Sequence, residues 1–160
     1  IEDAKKFLAN KGVEVVEKTG TTTDEVNQAV DALIAEKVDA IFTPTDNTIQ
    51  KAELSFYEKL QKAKIPHYGG ADSFALNGAF AGYGVDYVQL GKATADMVDE
   101  VLHGGKETAT LPVQTFDNGI ATVNTDTAEK LGFSMDELKE VFKPYCTKVE
   151  EIKTNQEFAK

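Results

Sequence analysis

The amino-acid sequence predicts an α/β fold built around a parallel β-sheet. Short apolar segments alternate with amphipathic helical segments over roughly the first hundred residues, which is typical of parallel strands joined by helical crossovers. The length of 160 residues lies within the range of one domain, and such a chain needs no disulfide or metal to bury a sufficient core. Polar loops follow three of the predicted strands, at the sheet edge where such folds bind ligands.

The chain begins with a helix, a short strand and a second helix. The first helical pattern ends at Gly12, and the β-branched run 13–17 predicts a strand. Thr22 precedes Glu25 by the spacing of a capping box, which marks the start of a helix. The apolar side chains over 26–34 recur at helical period, so this helix is expected to bury one face.

The middle of the chain contains the clearest alternation. Compact apolar runs predict strands over 38–42, 65–68 and 79–85. Amphipathic patterns predict helices over 49–62 and 86–102, and a glycine pair follows the second of them.

The last third of the chain has shorter patterns and a more polar composition. We expect strands over 113–116 and 120–123 around an Asp117-Asn118-Gly119 turn, short helices over 127–131 and 135–142, and a polar tail over 147–160.

The charge balance excludes one class of partner. The chain has 27 acidic and 17 basic residues, for a net charge of −10, and every basic residue is a lysine. Proteins that bind nucleic acid rely on basic contacts to phosphate, so a nucleic-acid partner is not expected. Because arginine is absent, any anionic group of a ligand must be held by lysine, hydroxyls or backbone N–H groups.

No residue pattern predicts catalysis or a cofactor. Cys146 is the single cysteine, so no internal disulfide or thiol metal cluster can form. His67 and His103 are far apart in sequence and lack the spacing of a zinc site. Phosphate-binding glycine loops and the Gly-x-Ser-x-Gly elbow are also missing, so no catalytic residue, metal or cofactor is assigned.

Three polar loops at strand ends form the candidate site. They cover 43–48, 69–73 and 84–87, and they contain Asp46, Asp72 and Asp86 in turn. Because the carboxyl ends of parallel strands meet at one edge, these aspartates are expected to converge there.

Each of these loops also has a purely structural interpretation. In Thr45-Asp46-Asn47-Thr48, either Asp46 or Asn47 could simply cap the following helix, and this alternative stays open beside ligand binding. Asp72 lies in a Gly-Gly-Ala-Asp-Ser stretch with ordinary turn chemistry. Asp86 could merely start the long helix, with Tyr87 packed beneath it, although Tyr83 and Tyr87 could instead stack on a flat ligand.

Several stretches together carry a resemblance to a known family. They are Val38–Thr48, Lys64–Pro66, Asn77–Ala79, Gly84–Gly91, Leu111–Val113, Val123-Asn124 and Ala128–Gly132. They resemble the solute-binding proteins of ABC transporters, and within that family the tryptophan/tyrosine-type branch. The resemblance runs from about residue 1 to about residue 140 and departs from the family pattern at His67-Tyr68-Gly69-Gly70 and beyond Cys146.

The resemblance implies a non-enzymatic receptor with the periplasmic-binding-protein type I fold, of which this chain forms a three-layer lobe with a parallel sheet. Such receptors close two lobes on a small solute, here expected to be an aromatic or other amino acid. An aspartate would offset the ammonium of this zwitterion, while hydroxyls or N–H groups would hold its carboxylate. The family's ligand positions correspond to Thr45, Asp46, Asn47, Thr48, Asp72, Gly84, Asp86 and Tyr87.

The resemblance also predicts how the chain is divided. Family members are about twice as long, so the chain is expected to be a fragment. It would comprise a second lobe over 1–85, a hinge-crossing helix of the first lobe over 86–110, return segments over 111–146 and the tail over 147–160. The apolar face of that helix, with Leu90, Met97 and Val101, should then be uncovered, which favours association or domain exchange.

An ABC permease is the implied protein partner, and an extracytoplasmic location is implied, either periplasmic or as a lipoprotein on the outer face of the membrane. A sugar or nucleoside is the alternative ligand, although the chain has no tryptophan to stack on a sugar ring. A receiver-like or phosphatase-like domain is a further alternative, but it needs an acidic pair and Mg²⁺ at the end of the first strand, where Glu17-Lys18-Thr19 stands. A pure interaction module also remains open.

Overall fold

The structure is a computed structural model that describes residues 1–115 and 119–155. Its centre is a five-stranded sheet with the strand order β1-β2-β3-β4-β5. The first three strands are parallel, β4 is antiparallel to β3, and β5 is parallel to β4. The strands are β1 (Ile41–Thr43), β2 (His67–Gly69), β3 (Ala81–Gly84), β4 (Ile120–Asn124) and β5 (Lys148–Ile152).

Helices connect and flank these strands, so the predicted α/β class is confirmed. The helices are α1 (Glu2–Ala9), α2 (Thr23–Ala35), α3 (Asn47–Ala63), α4 (Asp72–Leu76), α5 (Tyr87–Leu102), α6 (Thr125–Leu131) and α7 (Met135–Phe142), with 3₁₀ turns at Thr108–Thr110 and Lys143–Tyr145. Within the described ranges, no helix is both long enough and apolar enough to cross a membrane.

The predicted capping box at the start of α2 is confirmed. The Thr22 hydroxyl accepts a hydrogen bond from the Glu25 backbone N–H, at 3.2 Å. The Glu25 carboxylate in turn accepts from the hydroxyl and the N–H of Thr21, each at 2.7 Å. These hydrogen bonds lower the pKa of the Glu25 carboxyl.

Two apolar cores lie on opposite faces of the sheet. The first contains Ile41 and side chains of α2 and α3, including Phe56 and Leu60. The second contains Phe80 and Ala81, with side chains of β4, α6 and α7. Ile41 pairs with His67, whereas Ala81 pairs with Tyr68, the next residue along β2. Because successive strand residues point to opposite faces, helices cover both faces of the sheet.

Helix α5 buries none of its residues. Of the face expected to be uncovered, Leu90 is exposed, while Met97 and Val101 are half-buried. Val98 and Leu102 add further exposed apolar surface to this helix. The division of the chain into lobes and hinge segments stays a prediction.

The structure differs from the sequence-based prediction in several segments. Residues 13–17 form no strand, because strand structure requires a hydrogen-bonded neighbour and the described residues supply none. Residues 113–115 are likewise not in a strand, and 116–118 lie outside the described residues. Lys148–Ile152 form β5 instead of part of a polar tail, since Val149 packs against the second core. The sheet is therefore mixed instead of fully parallel.

Candidate functional site

The loops that follow β1 and β2 are hydrogen-bonded to each other at one edge of the sheet. The Gly70 backbone N–H donates to the Thr43 carbonyl at 2.9 Å. The Thr45 hydroxyl donates to the Gly70 carbonyl at 2.8 Å. The predicted convergence of the first two loops is therefore confirmed by direct contacts.

The end of β3 packs against the start of α4, which follows the second loop. A Cβ atom at Gly82 would lie 2.1 Å from the Ala71 carbonyl oxygen, so only glycine fits there without a shift of the backbone. A Cβ at Gly84 would lie 3.7 Å from the Cβ of Asp72. Gly84 is buried, and its lack of a side chain leaves the Asp72 carboxylate beside the strand end.

Asp46 caps α3. Its Oδ1 atom accepts hydrogen bonds from the N–H groups of Thr48 and Ile49, at 2.8 and 2.9 Å. Thr45, Asp46 and Asn47 are exposed, and Thr48 is half-buried in the first turn. The structural interpretation is thus confirmed for Asp46 and not for Asn47. Among the described residues, no hydrogen bond reaches the Oδ2 atom of Asp46, and the residue is exposed.

Asp86 has the same role at the start of α5. Its Oδ1 atom accepts hydrogen bonds from the N–H groups of Val88 and Gln89, both at 3.0 Å. Tyr87 is 68% exposed, so it does not pack beneath Asp86 as expected. Tyr83 is also partly exposed, and its hydroxyl accepts a hydrogen bond from the Gly119 N–H at 2.6 Å.

Asp72 lies at the first residue of a short helix that sequence reasoning missed. The expected polar loop ends at Ala71, and α4 runs from Asp72 to Leu76. The Asp72 Oδ1 atom accepts a hydrogen bond from the neighbouring Ser73 N–H at 2.8 Å. Five residues are too few for a periodic pattern, which explains why the sequence did not predict this helix.

Three carboxylates lie at this edge, and Lys148 of β5 is near enough to Asp86 for the two charges to interact. In each of the three aspartates, Oδ1 accepts a hydrogen bond from at least one backbone N–H group. Each of these residues is at least partly exposed. The pKa of Lys148 on β5 is raised by its hydrogen bond to Glu150 and, more weakly, by the charge of Asp86. Carboxylates that accept hydrogen bonds and face solvent can attract an ammonium group. The ligand role of the eight predicted residues stays a prediction.

Sequence reasoning missed a buried polar group beneath this edge. The Thr43 hydroxyl lies 2.8 Å from Nε2 of His67, and Nδ1 of His67 lies 2.8 Å from Oε1 of Glu53. Two features of the sequence could have indicated it. Glu53 stands within the apolar stripe of α3, and His67 departs from the family pattern in a strand that is otherwise apolar.

An open cavity lies elsewhere on the surface. It has a volume of about 660 Å³ and is open to solvent. Because β4 runs antiparallel to β3, α6 starts at the edge of the sheet opposite the three loops. None of the predicted ligand residues lines this cavity, whose walls are Tyr57, Asp126, Glu129, Lys130 and Thr154. Among the described residues, no group of three His, Cys, Asp or Glu side chains could hold a metal ion.

Comparisons with known proteins agree with this architecture. A tyrosine-binding protein from Clostridioides difficile (strain R20291) is 33% identical over 131 residues, which is 82% of this chain and 37% of that protein. The ligand-free, open structure of a substrate binding protein with adhesive properties from Clostridium difficile superposes with a TM-score of 0.77 at 28% identity. That match covers 96% of this chain and 49% of the other.

A second solved structure is bound to ligand. It is the ABC domain from Streptococcus pneumonia in complex with L-Trp, with a TM-score of 0.71 and 30% identity over 92% of this chain and 48% of that one. This chain thus spans about half the length of these solved relatives. The family model described as ABC transporter substrate binding protein matches residues 1–143. The chain therefore belongs to this family, whose members are binding proteins and not enzymes.

Proposed function

We propose that the chain is part of an extracytoplasmic receptor that delivers an aromatic amino acid to an ABC permease. The observation that carries this proposal is the edge at which the loops after β1 and β2 and the end of β3 meet, with an aspartate in each segment. Two relatives support the choice of ligand, since one is a tyrosine-binding protein and another is a complex with L-Trp.

The chemistry of the edge suits a zwitterion. The Oδ2 atoms of Asp46 and Asp86 would pair with the ammonium group, while their Oδ1 atoms remain bound to the helix N-termini. The ligand carboxylate would be held by hydroxyls and backbone N–H groups, because the chain has no arginine. The exposed ring of Tyr87 offers a surface against which an aromatic side chain can stack.

The proposal places this edge in one wall of a cleft between two lobes. Support comes from the lengths of the solved relatives, of which about half has no counterpart in this chain. One wall supplies only some of the contacts to the ligand, so the isolated chain should bind weakly. Lobe closure would then couple to ligand by a shift of population, and the exposed apolar surface of α5 would be covered by the first lobe or by another copy.

The test is an NMR titration of the 160-residue chain, because chemical shifts report weak binding. L-Tyrosine and L-tryptophan should shift amide signals over 43–48, 71–73 and 83–87, with dissociation constants weaker than about 10 µM. D-Ribose and adenosine, added separately, test the alternative ligands. Shifts confined to the opposite edge, or none with any amino acid, would overturn the proposal.

A pair of variants at Asp46 separates capping from binding. Asp46→Asn keeps a good N-cap but removes the charge, so the fold should be as stable as the wild type while tyrosine binding weakens about tenfold or more. Asp46→Ala should also lower the free energy of unfolding by about 1 kcal/mol. If the asparagine variant binds tyrosine as the wild type does, Asp46 does not contact the ammonium group.

A further inference from the structure

A buried carboxylate, a buried imidazole and a hydroxyl form a line across three elements beneath the candidate edge. Glu53 of α3 and His67 of β2 have side chains that are 0% and 2% exposed, with 2.8 Å between Oε1 and Nδ1. The other ring nitrogen, Nε2, lies 2.8 Å from Oγ1 of Thr43 at the end of β1. Thr43 is half-buried, and it directly precedes the loop that contains Asp46.

The surroundings of this pair oppose a net charge. The rings of Phe56 and Phe74 lie 5.8 and 6.0 Å from the imidazole. Within the described residues, Oε2 of Glu53 has no hydrogen-bond partner, and Oε1 lies out of line with an N–H on Nδ1. An uncompensated charge here would be costly, so the pair favours its net-neutral form. Burial accordingly raises the pKa of the Glu53 carboxyl, although His67 acts in the opposite direction.

Net neutrality determines which atom carries the proton that faces Thr43. If Glu53 is ionised, the imidazolium has N–H groups on both nitrogens. If Glu53 is protonated, its carboxyl lies beside a bare Nδ1 and the ring proton is on Nε2. A third arrangement places the ring proton on Nδ1 and the carboxyl proton of Glu53 on Oε2. The described residues offer no acceptor for a buried hydroxyl at Oε2, so this arrangement is disfavoured. In both favoured forms Nε2 is the donor, and the Thr43 oxygen is the acceptor.

We propose that Glu53 and His67 are positioning residues that keep the Thr43 hydroxyl available to donate a hydrogen bond to the carboxylate of the bound amino acid. The Thr43 oxygen accepts a hydrogen bond from the Nε2–H group of His67. Its own O–H is therefore free to point toward the edge. This role matters in a chain without arginine, where hydroxyls must supply donors for an anionic group. The inference rests on the function proposed above, because it assumes an amino-acid ligand at this edge.

The arrangement makes binding depend on pH in a defined direction. Glu53 is the titratable group that faces the ring from α3, while α4 contributes Phe74 and β1 contributes Thr43. Burial raises the pKa of the Glu53 carboxyl, and raising the pH removes its proton; the ring proton then favours Nδ1, beside the carboxylate, and Nε2 becomes an acceptor. The Thr43 hydroxyl then turns to donate to Nε2, and the ligand carboxylate loses its donor. Affinity for tyrosine should therefore fall as the pH rises.

The first experiment needs no ligand. ¹⁵N-detected imidazole spectra of the 160-residue chain distinguish protonated from bare ring nitrogens, and the exposed His103 is an internal reference. At pH 6 we expect Nε2 of His67 to be protonated, and its signal to shift in Thr43→Val but much less in Thr43→Ser. A bare Nε2 at pH 6, or a His67 spectrum identical in Thr43→Val, would overturn the inference.

The second experiment measures tyrosine affinity by the same NMR titration at pH 6 and pH 8. Thr43→Val should weaken tyrosine binding at pH 6 about tenfold or more, and it should remove the dependence of affinity on pH. Thr43→Ser should restore the affinity and its pH dependence. Thr125→Val is the control, because this half-buried threonine donates to the Ile152 carbonyl at the opposite edge of the sheet.

The outcomes separate the two proposals. If the wild type binds no amino acid, the proposed function fails and the ligand role of Thr43 fails with it, while the imidazole spectra still decide the direction of the Thr43–His67 hydrogen bond. If the wild type binds tyrosine but Thr43→Val has the same affinity and pH dependence, the function stands and this inference is wrong.

Discussion

Single carboxylates at the candidate edge can serve the fold and a ligand at the same time. Asp46 and Asp86 each give Oδ1 to two backbone N–H groups at a helix start. Each carboxylate retains a second oxygen with lone pairs for another partner. The two interpretations that the sequence left open, helix cap and ligand contact, are therefore compatible in one residue. The structure establishes the helix caps, and the NMR titrations test the contact with a ligand.

Glu53 provides a prediction about pH and stability at the residue scale. Burial raises the pKa of its carboxyl above the ordinary value of 4.5. The folded state therefore holds this proton to a higher pH than the unfolded state does, and the associated stabilisation is lost as the pH rises through the folded pKa. Glu53→Gln removes this titration. Its free energy of unfolding, relative to the wild type, should thus increase between pH 4.5 and pH 8.

Urea unfolding followed by circular dichroism at several pH values measures this difference. Glu58→Gln on the same helix is the matched control, since Glu58 is exposed and its substitution should change stability by less than about 0.5 kcal/mol at either pH. Parallel curves of stability against pH for the wild type and Glu53→Gln would contradict the prediction.

At the scale of elements, α3 shows how packing extends a periodic pattern. The amphipathic pattern over 49–62 carries Ala52, Leu54, Phe56, Tyr57 and Leu60, and all of them are buried except Leu54, which is half-buried. Gln61 is buried as well, because its amide donates to the Thr127 hydroxyl of α6 at 2.7 Å. A helix covered on more than one side buries polar residues that an amphipathic pattern assigns to solvent.

The close approach of β3 to α4 yields a prediction at this scale. Gly82→Ala would place a Cβ atom 2.1 Å from the Ala71 carbonyl oxygen, so the backbone must shift. We expect a loss of about 1–3 kcal/mol in the free energy of unfolding, together with altered amide shifts over 71–73. Thermal or urea unfolding of the purified variant measures the loss.

Gly91→Ala is the control for this substitution. Gly91 lies within α5, and among the described residues no atom beyond the adjoining helix backbone lies within 4 Å of a Cβ built there. Alanine should therefore stabilise the chain by up to about 1 kcal/mol through its better helix propensity. Equal effects of the two substitutions would mean that the contact between Gly82 and Ala71 is looser than described.

For the whole molecule, stability should come from the two cores and not from α5. Phe56 is 1% exposed in the first core, so Phe56→Ala should cost about 3–5 kcal/mol. Val98 of α5 is 50% exposed, and Val98→Ala should change stability by less than about 0.5 kcal/mol. Urea unfolding of both variants tests this contrast. A large loss from Val98→Ala, made concentration-dependent by self-association, would instead mean that another copy covers α5.

The sequence by itself determined the alternation of elements, the start of each major helix and the loops that form the edge. These features depend on local chemistry, such as the Thr22 cap, the apolar period of α3 and the aspartates that begin α3 and α5. The expected strand over 13–17 failed for the opposite reason, because a strand depends on a neighbour that local sequence does not specify.

Only the tertiary structure decided how distant segments combine. Strand β4 pairs antiparallel to β3, the polar strand β5 joins the sheet, and Gly82 lies against the start of α4. All three features arise from packing between residues far apart in sequence. The same holds for the line from Glu53 through His67 to Thr43, whose members come from three elements. Burial gives these three residues their significance, and burial is a property of the folded molecule that residue spacing does not contain.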